Sequence, residues 1–460
     1  MSVRSIIATG LLAAGAVASP QWGGGWGYPK TVTVTSDHTV YKTVTKTGSC
    51  SGSSVTSFSS SSSHSSSAST SASASKSGSS SGSSSASSSA SSSTSTVATT
   101  TTTSASNTVP TTTLLATATG HPLDVAAKAA GKLWFGTAAD IPGTGEAQDP
   151  YWAAEFNSTD FGEATPANIM KFVFTEPEPN VFNYTGAEQF LSFVEGTGKL
   201  VRCHNLIWQS ELPTWITNPT VNWTNATLTA ALRNHVTNLV EYFGDRCYSW
   251  DVVNEAFSDN PAGAYASNVW FDTIGPAYVV EAFDAATQAV KAKNLAVKLY
   301  YNDYNIEYLG NKSYAAQNLV TELKGRGIQI DGVGLESHFI AGETPDKASQ
   351  MANMQAFINL GVDVAITELD VRLNLPPNAT TEAQQVLDYY NSVAACVAVG
   401  DGCIGVTVWD FDDEYSWVPG TFPGQGYADL FLSNGPNEPL TRKAAYDGCL
   451  QALTGAPESA

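Results

Sequence analysis

Positive charge is scarce in this 460-residue chain, where 22 Lys and Arg face 42 Asp and Glu for a formal net charge of −20. Nucleic acids and anionic membrane surfaces bind through clustered Lys and Arg that displace counterions, so neither is expected as a partner. A neutral polymer stays compatible with an acidic, soluble surface. Long apolar runs are also missing. The one apolar stretch near the start, Ile6 to Val17, follows Arg4 and ends in Ala16-Val17-Ala18. It is too short to span a bilayer and reads as a secretory signal peptide over residues 1–18, which makes the mature protein a secreted, extracellular one.

Cofactor signatures are absent as well. The six histidines include no closely spaced pair and the six cysteines no C-x-x-C, which removes the usual zinc arrangements. There is no phosphate-binding loop, no strand-linked G-x-G-x-x-G and no serine elbow at a strand-to-helix turn. Neither metal nor cofactor is expected. In a secreted chain the cysteines suit disulfides. Cys396 and Cys403 could close a short loop, and Cys203 and Cys247 lie on segments read below as neighbouring strands. Cys50 and Cys449 either pair across the linker or both stay free.

Serine and threonine are abundant. Between residues 51 and 100 they fill 36 positions, leaving too little apolar surface to offset the entropy of folding. Residues 51–120 are therefore expected to be a disordered linker, O-glycosylated if secreted. The preceding segment, 19–50, contains Trp22 and Trp26, yet about 30 residues rarely fold without staples, so its role stays open. Six N-x-S/T acceptors, at Asn157, Asn183, Asn222, Asn225, Asn311 and Asn378, fit passage through a secretory pathway.

From residue 121 to about 455 short apolar runs alternate with helical patterns, the signature of repeated βα units. Expected strands are Leu133–Thr137, Glu163–Ile169, Leu200–Leu206, Ser249–Asn254, Lys298–Asn302, Gly332–Glu336, Val362–Glu368 and Ile404–Trp409. Ala230–Phe243, Val279–Ala292 and Glu382–Val399 read as outer helices. Eight such strands predict an α/β fold, a single (β/α)8 (TIM) barrel, although alternation alone also fits an open doubly wound sheet. The reactive side chains favour the barrel. In a parallel barrel the site lies at the carboxyl ends of the strands, and here those ends carry His204 and Trp208, Asn254 and Glu255, Asn302 and Asp303, Glu336 and His338, Glu368 and Asp370, and Trp409.

Glu255 and Glu368 each emerge from an apolar strand, and their separation puts them on the fourth and seventh strands, across the mouth from one another. Glycoside cleavage needs such a pair: one carboxyl protonates the leaving oxygen while the other attacks or stabilises the anomeric carbon. The charge of Glu368 is expected to raise the pKa of Glu255. Trp208, Trp409 and Trp417 flank the same rim and offer flat apolar faces to pyranose rings. The alternative from another class is a non-catalytic cell-wall glycan binder that uses the barrel mouth as a lectin site.

With Trp250-Asp251-Val252-Val253-Asn254-Glu255-Ala256, Ile366-Thr367-Glu368-Leu369-Asp370, and Arg202-Cys203-His204-Asn205-Leu206-Ile207-Trp208, the chain resembles family 10 of the glycoside hydrolases over about residues 121–452. Leu299-Tyr300-Tyr301-Asn302-Asp303-Tyr304-Asn305 and Asp331-Gly332-Val333-Gly334 belong to the same resemblance. It implies retaining endo-hydrolysis of 1,4-β-D-xylosidic linkages, with Glu255 as acid/base and Glu368 as nucleophile. It further implies that Asn254 binds the sugar 2-hydroxyl and that His338 with Asp370 orients Glu368. Asn168, Lys171, His204 and Trp208 would hold the non-reducing-side sugars, with Trp409 and Trp417 closing over the cleavage site. Xylan is then the partner, and a monomer is expected. Several positions depart from the family pattern: Ala167 replaces a glutamate, Gln209 a histidine, Glu211 and Glu336 sugar-site glutamines, and Asp410 a glycine. These changes admit another β-glycoside, such as β-glucan, decorated xylan or a saponin-type glycoside, and they require Glu336 to be neutral or paired beside Glu368.

Overall fold

A computed structural model describes residues 122–455, with Val221 excepted. The expected signal peptide, the 19–50 segment, the 51–120 linker and Cys50 lie outside the described residues.

Eight parallel strands form the barrel: β1 (Trp134–Ala139), β2 (Glu163–Pro166), β3 (Leu200–Cys203), β4 (Ser249–Asn254), β5 (Lys298–Asp303), β6 (Gly332–Leu335), β7 (Asp363–Asn374) and β8 (Cys403–Val408). Each pairs with the next, and β8 closes on β1 from Trp134↔Gly405 to Thr137↔Val408, so the open-sheet reading is excluded. After each strand comes a helix of the outer ring: α1 (Pro150–Phe156), α2 (Thr185–Val194), α3 (Asn225–Phe243), α4 (Ala277–Lys293), α5 (Asn311–Gly325), α6 (Lys347–Asn359), α7 (Ala379–Ala398) and α8 (Ala444–Thr454).

Strand alternation sorts the side chains. On β4, Trp250 faces outward and meets Phe243 of α3 edge-on at 5.8 Å, while Asp251 points into the lumen toward Arg202 of β3. The outward set joins the helices in one continuous apolar core that includes Val252, Leu239, Phe283, Val333 and Ile366, all inaccessible to solvent. A small plug of Trp134, Tyr300, Ala365 and Ile404 fills one part of the lumen. Ala138, Ala167, Trp409, Trp417, Val418 and Ala428 form a third apolar group that includes mouth residues.

Most strand and helix ends shift by one to a few residues from expectation, and three of the shifts have clear causes. β2 stops at Pro166, which has no N–H to continue the ladder, and the chain turns into the loop carrying Asn168 and Lys171. β7 runs on past Glu368 because its second half pairs with His338–Ile340 and with Gln425–Gly426. Helix α3 begins at Asn225, earlier than the apolar pattern suggests, because the Thr224 hydroxyl accepts from the Thr227 N–H at 3.2 Å in a capping box. Disulfides join Cys203 to Cys247 and Cys396 to Cys403, as expected, and Cys449 is buried without a disulfide partner among the described residues. All six sequon asparagines are exposed. Among the described residues no helix is long and apolar enough to cross a membrane.

Candidate active site

The predicted residues converge at the carboxyl ends of the strands. Glu255 immediately follows β4 with a left-handed backbone, φ 53°, and its N–H donates to the Asn302 carbonyl at 2.9 Å. Glu368 sits within β7, its N–H donating to the Glu336 carbonyl at 3.0 Å. Both carboxyls are buried, at 3% and 5% exposure, yet they are held in opposite protonation states.

Burial raises the Glu255 pKa to about 8; a hydrogen bond from Trp208 opposes the rise, and the charges of Asp303 and Glu368 add to it. The expected contribution of Glu368 is present but secondary: desolvation dominates, because this carboxyl is removed from water with few donors. Gln209, one of the departures from the family pattern, is one of those donors, from Nε2 to Oε2 at 3.2 Å.

Burial alone would also raise Glu368, but its partners reverse the sign. A hydrogen bond from His338 and the positive charges of the His338 and Arg202 side chains bring it down to about 2. His338 lies with Nε2 3.2 Å from Glu368 Oε2 and Nδ1 2.7 Å from Asp370 Oδ2. Burial would lower its pKa, but the Asp370 charge and both hydrogen bonds carry it up to about 10, so the ring is an imidazolium. Trp417 donates from Nε1 to the same Asp370 oxygen at 2.7 Å and meets the His338 ring edge-on at 4.8 Å. Trp417 thus fixes the pair that fixes the nucleophile candidate.

On the other flank, Lys171 donates to Asn168 Oδ1 at 2.8 Å and lies 4.7 Å above the Trp208 ring. Asn168 in turn donates to Asp140 at 3.0 Å. His204 is kept neutral by burial; its Nδ1 donates to Asp251 at 2.8 Å, and its ring meets Trp409 edge-on at 5.4 Å. Glu211 sits half-buried with φ 50°, and its charge acts on Lys171. Ala167 packs with Trp409 and Trp417, and Asp410 is buried near Glu146, which with burial raises its pKa.

Sequence reasoning placed Asn302 on the rim without seeing its weight. Its Nδ2 lies 2.8 Å from Asn254 Oδ1, 2.9 Å from Glu368 Oε1 and 3.1 Å from Glu336 Oε1, while Thr367 donates to its Oδ1 at 2.7 Å. An amide has two hydrogens for these three acceptors, so one acceptor must do without or carry its own proton. Glu336 meets that need: burial and the charges of Glu368, Glu255 and Asp303 push its pKa well above 4.5. Arg202 was missed as a site residue altogether. Its guanidinium pairs with Asp251 and donates to the Thr367 carbonyl at 2.8 Å, placing a fixed positive charge beneath Glu368. The signal was an arginine in an otherwise apolar strand run, Leu200–Cys203.

Glu336, His338 and Glu368 bring one ligand atom each within 4.8 Å of one another. With both His338 nitrogens protonated, the ring offers no lone pair to a metal. The set is fitted instead for acid–base work on a neutral substrate: a proton donor, an ionised carboxylate, and a shell of amide, lysine and tryptophan groups.

The Glycosyl hydrolase family 10 model matches residues 123–452. The chain belongs to that family. It is 47% identical over 350 residues to endo-1,4-β-xylanase D of Talaromyces funiculosus, covering 75% of this chain and 82% of the relative. Among solved structures, the GH10 xylanase of Bispora sp. MEY-1 with xylobiose is 70% identical with a TM-score of 0.71, covering 72% of this chain and all of that one. The endo-1,4-β-xylanase of Penicillium canescens is 52% identical with a TM-score of 0.70, over 74% of this chain and 99% of its own. This family-10 barrel is thus a glycoside hydrolase, and the non-catalytic binding alternative falls away.

Proposed function

We propose that this protein is a secreted, monomeric endo-1,4-β-xylanase that cleaves xylan with retention, with residues 1–18 as its signal peptide and residues 121–455 as its catalytic unit behind the 51–120 linker. Glu255 protonates the departing glycosidic oxygen while Glu368 attacks the anomeric carbon. Glu255, now a carboxylate, then takes a proton from the water that hydrolyses the glycosyl-enzyme. The observation that carries this reading is the opposed charge of two buried carboxyls in one mouth, Glu255 raised to about 8 and Glu368 lowered to about 2. At mildly acidic pH one is an acid and the other a nucleophile before any substrate arrives.

Asn254 would meet the 2-hydroxyl beside Glu368, and His338 with Asp370 holds the nucleophile's orientation and charge. Asn168, Lys171, His204, Trp208 and Glu211 would bind the non-reducing-side sugars, Glu336 the sugar at the cleavage point, and Trp409 and Trp417 would cover it. The names of the xylanase relatives support xylan as the substrate. The test is release of reducing sugar from xylan, arabinoxylan, β-glucan, cellulose and a glycoalkaloid by wild type and Glu368→Ala. Xylan cut fastest, with at least about 10³-fold loss in the variant, is the expected result. Faster cleavage of another glycan would move the substrate to the decorated or gluco-configured class and put Ala167, Glu211 and Glu336 forward as the cause. Full activity of Glu368→Ala would remove the mechanism.

A further inference from the structure

A surface groove beside the loop from β3 to α3 is lined by Thr214, Trp215, Asn218, Pro219, Asn222 and Trp223 among others, and no lining residue is charged. The contrast with a comparable depression beneath the end of α2 is plain, since that one is edged by Glu188, Glu195, Lys199 and Arg246. Both groove tryptophans direct their polar edge inward: Trp215 Nε1 donates to the Glu176 carbonyl at 3.0 Å, and Trp223 Nε1 to the Ile216 carbonyl at 3.0 Å. Their rings stand 6.1 Å apart at 61° and are half-buried, so part of each ring remains wet. Two adjoining indoles bounded by neutral Thr and Asn side chains match the C–H faces, hydroxyls and N-acetyl group of a neutral sugar.

The sugar with the shortest route to this groove would be one attached to the chain itself. Asn222 begins the sequon Asn222-Trp223-Thr224, is exposed, and lines the groove, so a glycan on its Nδ2 starts at the edge of the two rings. Tethering makes the encounter intramolecular and supplies a high effective concentration. The neighbouring sequon asparagine, Asn225, is placed differently: it stands at the first residue of α3, and its Nδ2 already donates to the Ile274 carbonyl at 3.1 Å.

We propose that the groove seats the chain's own N-linked glycan, attached at Asn222, with its first N-acetylglucosamine units packed on Trp215 and Trp223. This inference rests on the secretory reading above. In the attachment step Asn222 Nδ2 bonds to C1 of a lipid-diphosphate-linked oligosaccharide. The C1–O bond to the diphosphate breaks with its electron pair leaving on oxygen, and one amide proton is released. Folding then closes the groove around the attached sugar, which covers apolar ring surface that would otherwise face water.

The experiment takes the full chain secreted from a eukaryotic host. It measures occupancy of each sequon by glycopeptide mass spectrometry and the rate of endoglycosidase release from the native protein. Asn183 and Asn311, which lie outside the groove, are the internal references. Expected are occupancy at Asn222, release there about tenfold slower than at the references, and equal rates after Trp223→Ala, which preserves the sequon. If that variant does not fold, equal rates at all three sites on the wild-type chain unfolded in urea above its midpoint provide the same comparison. The proposal is overturned by an unmodified Asn222 alongside a modified Asn183, or by native release as fast as at the references. Six unmodified sequons on the secreted chain would overturn the proposal alone, whereas retention of the chain inside the cell would sink the secretory reading. Binding of insoluble xylan by Asn222→Gln that is lost on adding Trp223→Ala would assign the groove to polysaccharide in trans instead.

Discussion

The two faces of the barrel sheet are built on different principles. Outward-facing residues such as Trp250, Val252 and Ile366 meet helices through apolar contact alone. Inward-facing residues between the plug and the mouth are an ionic and amide lattice: Arg202 on Asp251, Thr407 on Glu163, Asn302 on Glu368. Apolar contact is nondirectional and tolerates substitution by similar volumes, whereas a buried polar lattice works only when every member finds its partner. The outer face therefore supplies stability, and the lumen supplies the charge pattern that the mouth uses.

Removing one member from each face separates those roles. Arg202→Met strands the Asp251 carboxylate and is expected to cost about 3–5 kcal/mol in denaturant unfolding. It also withdraws a charge that holds Glu368 down, so the acidic limb of kcat/KM moves to higher pH. Leu239→Ala, fully buried on α3, is expected to cost about 2–5 kcal/mol through its cavity and to leave the pH profile in place. A displaced profile in Leu239→Ala, or an undisplaced one in Arg202→Met, would abolish the distinction between the faces.

Charge titration sharpens the same contrast. Burial holds Glu307 up at about 7, and Glu146 and Glu255 at about 8, against an ordinary carboxyl near 4.5. Their folded values exceed their unfolded ones, so their contribution to stability is whole below about 4.5 and is lost as pH rises through 7 and 8. Glu368 has the opposite sign: its contribution is whole above 4.5 and disappears only as pH falls toward about 2. Calorimetry from about pH 5 to about pH 8 is therefore expected to show Tm falling by at least about 5 °C. A Tm that rises over that range would mean these carboxyls ionise freely in the folded state.

This division also accounts for what could be read in the sequence. Apolar alternation located all eight strands, Ser249–Asn254 to the residue, because burial of the outer face is written in residue type. Two helices start earlier than expected where caps decide them, ahead of Ala230 at the Thr224 cap and ahead of Glu382 at the Asn378 cap, because the cap side chain satisfies the first free N–H groups before the buried face begins. Glu255, Glu368, His338 and Asp370 were legible because strand ends converge by topology. Arg202 and the triple contact of Asn302 were not, because a partner two or four strands away depends on register and lumen geometry that no local pattern encodes. Only the smaller part of the Glu255 shift was legible for the same reason: a sequence shows that another carboxylate exists, but not how little water reaches the first.

Glu336 offers the finest test of the lumen lattice. Its side chain shares the Asn302 amide with Asn254 and Glu368, and its neutral form removes the repulsion that three carboxylates in one mouth would otherwise meet. Glu336→Gln keeps shape and neutrality, so at mildly acidic pH xylan hydrolysis is expected to stay within about threefold of wild type, the loss of one modest hydrogen bond. The alkaline limb should differ. Wild type can lose its proton from Glu255 or from Glu336, and either loss places a second charge beside Glu368, whereas the variant has Glu255 alone. Removal of the second acid is expected to move the alkaline limb of kcat/KM to higher pH. Superimposable profiles would mean that Glu336 keeps one charge state across the active range and that Glu255 alone sets the alkaline limb.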